Sequence, residues 1–208
     1  RAGLAYGEYA LDAAPGDLLL AIDDSGAKLI EVTGVTPVKC VDPTARLGRP
    51  ALGATVAQAD DPRLITRLRL LIAAELLGVV EAVRDMSAEY AKVREQFGVP
   101  IGTFQAVKHR CAEMAIRSYA LRSQLFLAAV RFDANLDDAA FQAASAHVLA
   151  MEAARRGAAD NIQNHGGIGV TFEQDAHLYV KRALLLDYAT PRRASHAAVL
   201  APERHEFA

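Results

Sequence analysis

One long run of apolar residues with helical spacing constrains the fold of this chain more than any other feature. Leucine, isoleucine and valine recur every three or four residues, at Leu64, Leu68, Leu71, Ile72, Leu76, Val79 and Val83. This spacing places them on one face of an α-helix, and Pro62 suits the first helical turn. The pattern predicts a long amphipathic helix from Pro62 to about Phe97, which must bury its apolar face against other helices.

Similar patterns follow along the chain after Gly98 and Pro100, which break the first helix. Further helices are predicted at about residues 103–132, 137–164, 174–188 and 191–200, the third of the five being rich in alanine and therefore able to pack closely. The segment before residue 60 is different. It contains the short runs GDLLLAI, AKLIEVTGV and a proline-bounded VKCV, separated by turn residues, which is typical of hairpin-rich β-structure.

The predicted fold is therefore mainly α, with a β segment at residues 1–60 followed by an antiparallel helical bundle at residues 61–208. With 208 residues, 52% of them hydrophobic, and a formal net charge of −2, the chain can bury a core and has no charge excess that would favour nucleic acid. No apolar run approaches the ~18 residues of a membrane span, so we expect no membrane segment. We expect no signal peptide either. Because the first residue is Arg1 rather than Met and no polar leader precedes the first structured segment, we expect a fragment that lacks its front portion.

The two cysteines, Cys40 and Cys111, lie far apart in the sequence. This spacing supports neither a disulfide framework nor a cysteine metal cluster, so we expect no metal site. A reducing, cytoplasmic setting is the simpler expectation.

Two segments contain residue types that can bind a ligand. In YAKVREQFGVPIGTFQAVKH, residues 90–109, a helix ends near Arg94 and Phe97 and the chain turns. On the residues alone, this is a helix corner in which Arg94 is solvated and Phe97 plugs the corner. In IQNHGGIGVTFEQDAHLYVKRA, residues 162–183, glycines permit either close approach to a ligand or a tight turn. No strand precedes them, which disfavours a dinucleotide fingerprint of the Rossmann type.

Both segments resemble signatures of the acyl-CoA dehydrogenase family. The first matches Tyr-x-x-x-Arg-x-x-Phe-Gly-x-x-Ile-x-x-Phe-Gln, beginning at Tyr90, and the second matches Gln-x-x-Gly-Gly-x-Gly, from Gln163 to Gly169. Asp42, Pro43, Thr44 and Arg46 also resemble the second half of the family's middle β-domain. The resemblance covers the whole chain and implies that residues 1–60 are the C-terminal half of that β-domain. It further implies that the N-terminal helical domain is missing.

The resemblance implies a role at FAD, which in this family lies extended across a subunit interface. Arg94 would pair with the pyrophosphate, Gln96 would hydrogen-bond nearby and Phe97 would pack on the cofactor. A planar, permanently charged guanidinium suits a pyrophosphate. The adenine end would be lined by Gln163, Gly166 and Gly167.

The sequence departs from the family at the catalytic base, a glutamate that removes the α-proton of the acyl-CoA. Alignment places Ala189 at the usual base position and Leu68 at the alternative position on the long helix, and neither side chain can accept a proton. Arg69 matches the arginine that follows the alternative base, which implies contact with the substrate. No catalytic residue is therefore assigned to this chain.

A glutamate and three histidines are candidates for a replacement base. Glu75 lies on nearly the same helix face as Leu68 but about 10 Å further along the axis. The structural interpretation is a carboxylate paired with an arginine from another helix. His165, His177 and His196 have no spacing that links them to one another.

The stretch GGIGVTFEQDAHLYVKRA, residues 166–183, also resembles a subset of the family from actinobacterial steroid side-chain catabolism, whose members are commonly α2β2 heterotetramers. In these one subunit lacks the base and its homologous partner supplies it. We therefore expect a base-lacking subunit of a heteromeric, FAD-dependent acyl-CoA dehydrogenase. Two alternatives remain open: a flavin-free scaffolding homologue, and a self-sufficient enzyme with a relocated base.

Overall fold

The structure, a computed structural model, describes residues 2–23 and 25–188. The chain starts with strands β1 (Ala2–Tyr6), β2 (Tyr9–Leu11), β3 (Leu18–Asp23), β4 (Gly26–Val38) and β5 (Leu47–Ala59). They form one closed sheet in the order β1, β2, β5, β4, β3, in which β3 returns to pair in parallel with β1. The other pairs are antiparallel.

The sheet confirms the hairpin of GDLLLAI with AKLIEVTGV, since β3 and β4 pair from Leu18 opposite Glu31 to Asp23 opposite Gly26. The strand predicted at VKCV is wrong, because β4 ends at Val38 and the chain then turns toward β5. The register of β4 against β5 shifts between Leu29 and Gly34, as at a β-bulge, and such irregularities hide the period-2 pattern of a strand.

Four helices lie in the described part of the chain, and the mainly α prediction is confirmed. They are α1 (Arg63–Val93), α2 (Gln105–Asp133), α3 (Ala139–His165) and α4 (Ala176–Tyr188). The chain passes from α1 to α2 through β6 (Glu95–Gln96), β7 (Val99–Pro100) and a 3-10 turn, Ile101–Thr103. The first helix thus ends at Val93, before the predicted Phe97, because the backbone becomes extended at Arg94. The helix predicted at 191–200 lies outside the described residues.

Contacts between the helices give their directions. Arg84 of α1 donates a hydrogen bond to Ser118 of α2, while Arg63 at the start of α1 reaches the carbonyl oxygen of Phe132 near the end of α2, so α1 and α2 are antiparallel. By contrast, α1 and α3 run parallel, since Val83 packs on Ala158 and Ser87 bonds to Asn161. Consecutive helices therefore alternate in direction, and α1 lies beside α3.

The core lies between these helices. The predicted apolar stripe of α1 is buried at Leu68, Ile72, Leu76, Val79 and Val83, whereas Leu71 lies beside this stripe and is 63% exposed. Against this stripe α3 presents alanines that are almost fully buried, at positions 143, 146, 150, 153, 154 and 158. Small side chains let two helix backbones approach closely, which explains the alanine-rich composition of α3. No helix in residues 2–23 or 25–188 is long and apolar enough to cross a membrane.

A buried ion pair joins the β segment to the helices. The carboxylate of Asp42 is fully buried, and it accepts hydrogen bonds from Arg182 Nε at 2.6 Å and from the backbone and hydroxyl of Thr44 at 2.9 and 2.6 Å. Arg182 also donates to Glu75 at 3.0 Å and to the Thr44 hydroxyl at 2.8 Å. Burial alone would raise the pKa of Asp42, but the hydrogen bonds from Thr44 and Arg182 outweigh it and lower the pKa below its ordinary value.

Candidate functional site

A cleft of about 430 Å³ lies where the ends of α1 and α3 meet the turn before α2. Four of the six predicted cofactor-binding residues line it: Arg94, Gln96, Gly166 and Gly167. The other lining residues are Tyr90, Ile101, Asn164, His165 and Ile168. The fold thus brings the two sequence signatures, about 70 residues apart, into one site. Phe97 and Gln163 are exposed close by in the chain but do not line the cleft.

Arg94 is the cation in this cleft. It ends α1, where its N–H donates to the Tyr90 carbonyl at 2.9 Å and its own carbonyl accepts from Ile101 at 2.8 Å, so its backbone is fixed. Within the described residues, its exposed guanidinium takes part in no hydrogen bond or ion pair. An uncompensated guanidinium in a cleft is available to bind an anion, and its planar donors match a phosphate.

Phe97 occupies the tip of a two-residue hairpin. Residues Phe97 and Gly98 join β6 to β7, and both have positive φ, 55° and 79°, as in a type I′ turn. The expectation that Phe97 plugs the corner is wrong, because its side chain is 94% exposed and its ring has just an edge contact with Phe104 within the described residues, at 6.1 Å between ring centroids. A bulky residue at positive φ is strained by about 1–3 kcal/mol, and such strain is concentrated at ligand sites.

The glycines at the end of α3 shape the opposite wall. Gly166 has φ 64° and ψ −142°, a conformation almost restricted to glycine. A Cβ at Gly166 or Gly167 would meet no atom within 4 Å, so both backbones face open space. Gly169 has a different role, because a Cβ there would lie 2.8 Å from the Ile162 carbonyl oxygen and 2.9 Å from the Cβ of His165. Gly169 therefore allows the turn to pack on α3.

Buried polar side chains support the floor of the cleft. The ring of His165 stacks on Tyr90, with 4.1 Å between centroids, and Asn164 accepts a hydrogen bond from Arg110 at 2.8 Å. Asn164 also donates to the sulfur of Cys111 at 3.6 Å. Burial raises the pKa of the Cys111 thiol, so this cysteine is held in its neutral form.

Leu68, at the alternative base position on the long helix, lies far from this cleft. Leu68 is 9% exposed in the helical core, and Tyr90, which lines the cleft, is 22 residues further along α1, or about 33 Å. Arg69 is 2% exposed, and its substrate contact stays a prediction. Glu75 is paired with Arg182 of α4, as its structural interpretation expected. Ala189 lies outside the described residues.

Comparison with known proteins decides the family. The family model described as acyl-CoA dehydrogenase, C-terminal domain, matches residues 62–190. The chain belongs to the acyl-CoA dehydrogenase family. It is 44% identical over 147 residues to acyl-CoA dehydrogenase IpdE2 of Mycobacterium tuberculosis, a match that covers 71% of this chain and 44% of IpdE2.

Two solved structures of similar proteins are complexes or paired chains by name. The ChsE4-ChsE5 complex of Mycobacterium tuberculosis is 30% identical with a TM-score of 0.72, covering 94% of this chain and 60% of that one. A variant of the Tcur3481-Tcur3483 steroid ACAD is 26% identical with a TM-score of 0.74, covering 96% and 60%. This chain thus spans less than two thirds of the length of these acyl-CoA dehydrogenases.

Members of the acyl-CoA dehydrogenase family generally use FAD, and the cleft fits part of that cofactor. It combines an uncompensated guanidinium at Arg94 with two glycine backbones that leave space for a ligand. Tyr90, Asn164 and His165 were not among the predicted cofactor residues. Tyr90 could have been found, because it lies one helical turn before Arg94 and must therefore share its face. The presence of Asn164 and His165 in the cleft depends on the register between α1 and α3, which the sequence alone does not give.

Proposed function

We propose that this chain is a base-lacking subunit of a heteromeric, FAD-dependent acyl-CoA dehydrogenase and that its cleft completes the flavin site of a homologous partner. The observation that carries the proposal is the convergence of Arg94, Gln96, Gly166 and Gly167 on one cleft. Arg94 would hold the pyrophosphate through two parallel hydrogen bonds, and the glycines would let the adenosine approach the backbone. FAD bound there would supply the hydride acceptor for oxidation of the acyl-CoA at its β-carbon.

Phe97 and Gln163 have the character of contacts to a cofactor or partner that the chain alone does not provide. Phe97 is almost fully exposed in a strained turn. Within the described chain its ring packs on nothing beyond the edge contact with Phe104, so no burial of the ring offsets the strain. Strongly exposed aromatic residues are typical of binding surfaces. We expect Phe97 to pack on the cofactor and Gln163 to lie at its adenine end.

The missing base is the second part of the proposal. Proton abstraction needs a carboxylate near the α-carbon, but the two family positions hold Leu68 and Ala189. Glu75, the alternative base, already shares Arg182 with Asp42, so its carboxylate is committed to a structural ion pair. The partner subunit would therefore supply the base, giving two complete active sites in an α2β2 assembly.

Similarity to the Tcur3481-Tcur3483 steroid ACAD and to the ChsE4-ChsE5 complex supports a steroid side-chain CoA thioester as the substrate class. An assembly with half of its sites vacant would leave more room for such a bulky acyl group. Arg69 is proposed to contribute to substrate binding in the assembly.

The test is co-expression of the full-length chain with candidate homologous subunits, followed by measurement of subunit ratio, FAD content and acyl-CoA oxidation. We expect a stable complex with two flavins per tetramer and activity only in the complex. Arg94→Ala should lower FAD content, while Arg155→Ala, a matched change at an exposed arginine of α3, should not. Normal turnover by this chain alone would overturn the base-lacking role. Unchanged FAD content in Arg94→Ala would favour the flavin-free scaffold.

A further inference from the structure

The imidazole of His165 is a buried polar group inside the cleft that the proposed function leaves without a role. The residue is 5% exposed and lines the cleft together with Arg94. Its Nδ1 lies 2.8 Å from the carbonyl oxygen of Asn161, and because a carbonyl can only accept, Nδ1 carries the hydrogen in this bond. Among the described residues no other group hydrogen-bonds the ring, so Nε2 is available to a ligand.

The orientation of this ring is fixed from two sides. Tyr90 stacks on it with 4.1 Å between centroids and 23° between planes, and the Asn161 bond prevents rotation within the stack. Tyr90 lies one turn before Arg94, which directly follows the last residue of α1, and the imidazole and the guanidinium line the same cleft. A ring held in this way loses little conformational freedom when Nε2 binds a ligand.

The charges around His165 favour an anion. Tyr90 of α1 and Arg94, which follows α1, line the cleft with it, and Arg110 of α2 reaches its neighbour Asn164. The nearby carboxylate of α3, Asp160, is engaged by Arg110 at 3.7 Å and by Arg117. The turn before α2 and the glycine turn contribute the apolar Ile101 and Ile168 to the cleft lining. A negative ligand in the cleft would therefore meet the guanidinium of Arg94 and no competing carboxylate among the lining residues.

We propose that His165 is a ligand-binding residue whose protonated Nε2 donates a hydrogen bond to a phosphate oxygen of the adenosine pyrophosphate held by Arg94. This inference rests on the proposed function, since it takes the ligand from it. Because Nδ1 already carries the hydrogen that it donates to Asn161, Nε2 can donate to a phosphate oxygen only when the ring is protonated. Affinity should therefore fall as the pH rises through the range in which imidazoles lose their charge.

The experiment is calorimetric titration of the purified full-length chain, freed of cofactor, with ADP-ribose. ADP-ribose contains the adenosine pyrophosphate of FAD, and both phosphates are esterified, so its charge stays constant over the pH range used. The wild type should bind about tenfold more weakly at about pH 8 than at about pH 5.5. His165→Phe keeps a ring to stack on Tyr90 but has no Nε2, and it should bind with the weaker affinity at both pH values.

Control variants separate a direct contact from a structural effect. His177→Phe changes a histidine of α4 that contacts Phe172 and Lys181 and does not line the cleft, so the pH dependence should persist. If His165→Phe fails to fold, His165→Gln replaces it, because an amide does not titrate. Titration in two buffers of different ionisation enthalpy should show proton uptake in the wild type and none in the His165 variant. A retained pH slope in that variant, or no binding by the wild type, would overturn the role of His165.

The outcomes also distinguish this inference from the proposed function. If Arg94→Ala leaves ADP-ribose affinity unchanged, the pyrophosphate site of the proposed function is wrong, whatever His165 does. If Arg94→Ala weakens binding at every pH and His165→Phe has no effect on the slope, only the role of His165 fails. Coenzyme A carries the same adenosine pyrophosphate with a further 3′-phosphate, so a parallel titration with FAD and coenzyme A identifies which molecule the cleft takes.

Discussion

Arg182 bridges two carboxylates of very different burial, so replacing each in turn separates the effect of burial from that of the shared partner. Asp42 is fully buried and lies 2.6 Å from Arg182 Nε, whereas the side chain of Glu75 is 49% exposed and lies 3.0 Å from Nη1. We predict that Asp42→Asn is clearly destabilising and that Glu75→Gln, a change of the same size and charge, is nearly neutral.

The magnitude follows from the contacts. In Asp42→Asn the oxygen that accepts from Thr44 can be retained, but an NH₂ group then faces the Nε–H donor of Arg182. Removing one partner of a fully buried ion pair costs about 3–5 kcal/mol. Because the Arg182 side chain is 32% exposed and keeps Glu75, water compensates part of this loss, and we expect about 2 kcal/mol. Glu75→Gln removes a largely solvated pair and should cost about 0–1 kcal/mol.

Urea unfolding followed by circular dichroism at neutral pH measures both free energies. The sign of the pH dependence provides an independent check. Hydrogen bonds lower the pKa of Asp42 in the folded state, so its stabilising effect is present above about pH 4 and is lost as the pH falls through the folded value. The difference between wild type and Asp42→Asn should therefore narrow in acid. The reasoning would be refuted if Asp42→Asn lowered the free energy of unfolding no more than Glu75→Gln does. It would also be refuted if the difference in unfolding free energy between wild type and Asp42→Asn widened in acid.

Three further predictions concern packing and backbone strain, each measured by urea unfolding. Gly169→Ala should cost about 1–3 kcal/mol, because its Cβ would overlap α3, while Gly167→Ala should leave stability unchanged, and equal effects would contradict the assigned contacts. Leu121→Ala, at a fully buried site of α2, should cost about 2–5 kcal/mol, and Ile116→Ala, 66% exposed on the same helix, less than about 1 kcal/mol. Phe97→Gly should change stability by less than about 1 kcal/mol, since relief of positive-φ strain offsets the added chain entropy, but it should lower FAD content in the partner complex.

The helices could be predicted from the sequence because their buried residues recur with helical spacing. The stripe from Leu68 to Val83 correctly identified the buried face of α1, with Leu71 as the exception. Positions 71 and 72 are neighbours in the chain and differ by about 100° around the helix, so an apolar stripe cannot bury both unless it is wide. Only the structure shows that the packed neighbours of α1 cover the Ile72 side.

The β segment was harder to predict because apolar and polar residues do not alternate regularly along its strands. The sequence of β5, LGRPALGATVAQA, contains Gly48, Pro50 and Gly53, which normally weaken a strand prediction. Gly53 lies where the register between β4 and β5 shifts, whereas Gly48 and Pro50 pair with Pro37 and Val35 in regular register. The pairing of the buried Asp42 with Arg182 could not be predicted from the sequence either. Arg182 lies 140 residues further along the chain, and only the docking of α4 on the sheet brings the two side chains together.

The candidate site exists because α1 and α3 run parallel with a constant offset. Ser87 bonds to Asn161, 74 residues away, and the Tyr90 ring stacks on His165 one turn later. Gly157 and the alanines around it set this register by letting Val83 approach, with only 3.3 Å from its Cγ2 to a Cβ placed at Gly157. Each signature ends a helix, so a parallel pair in this register must place Arg94 and Gly166 at the same end of the bundle. A larger side chain at Gly157 should therefore weaken the cleft as well as the core, although it lies more than two turns from Gly166. The sequence contained both signatures, but their meeting depends on small residues in the core that neither signature includes.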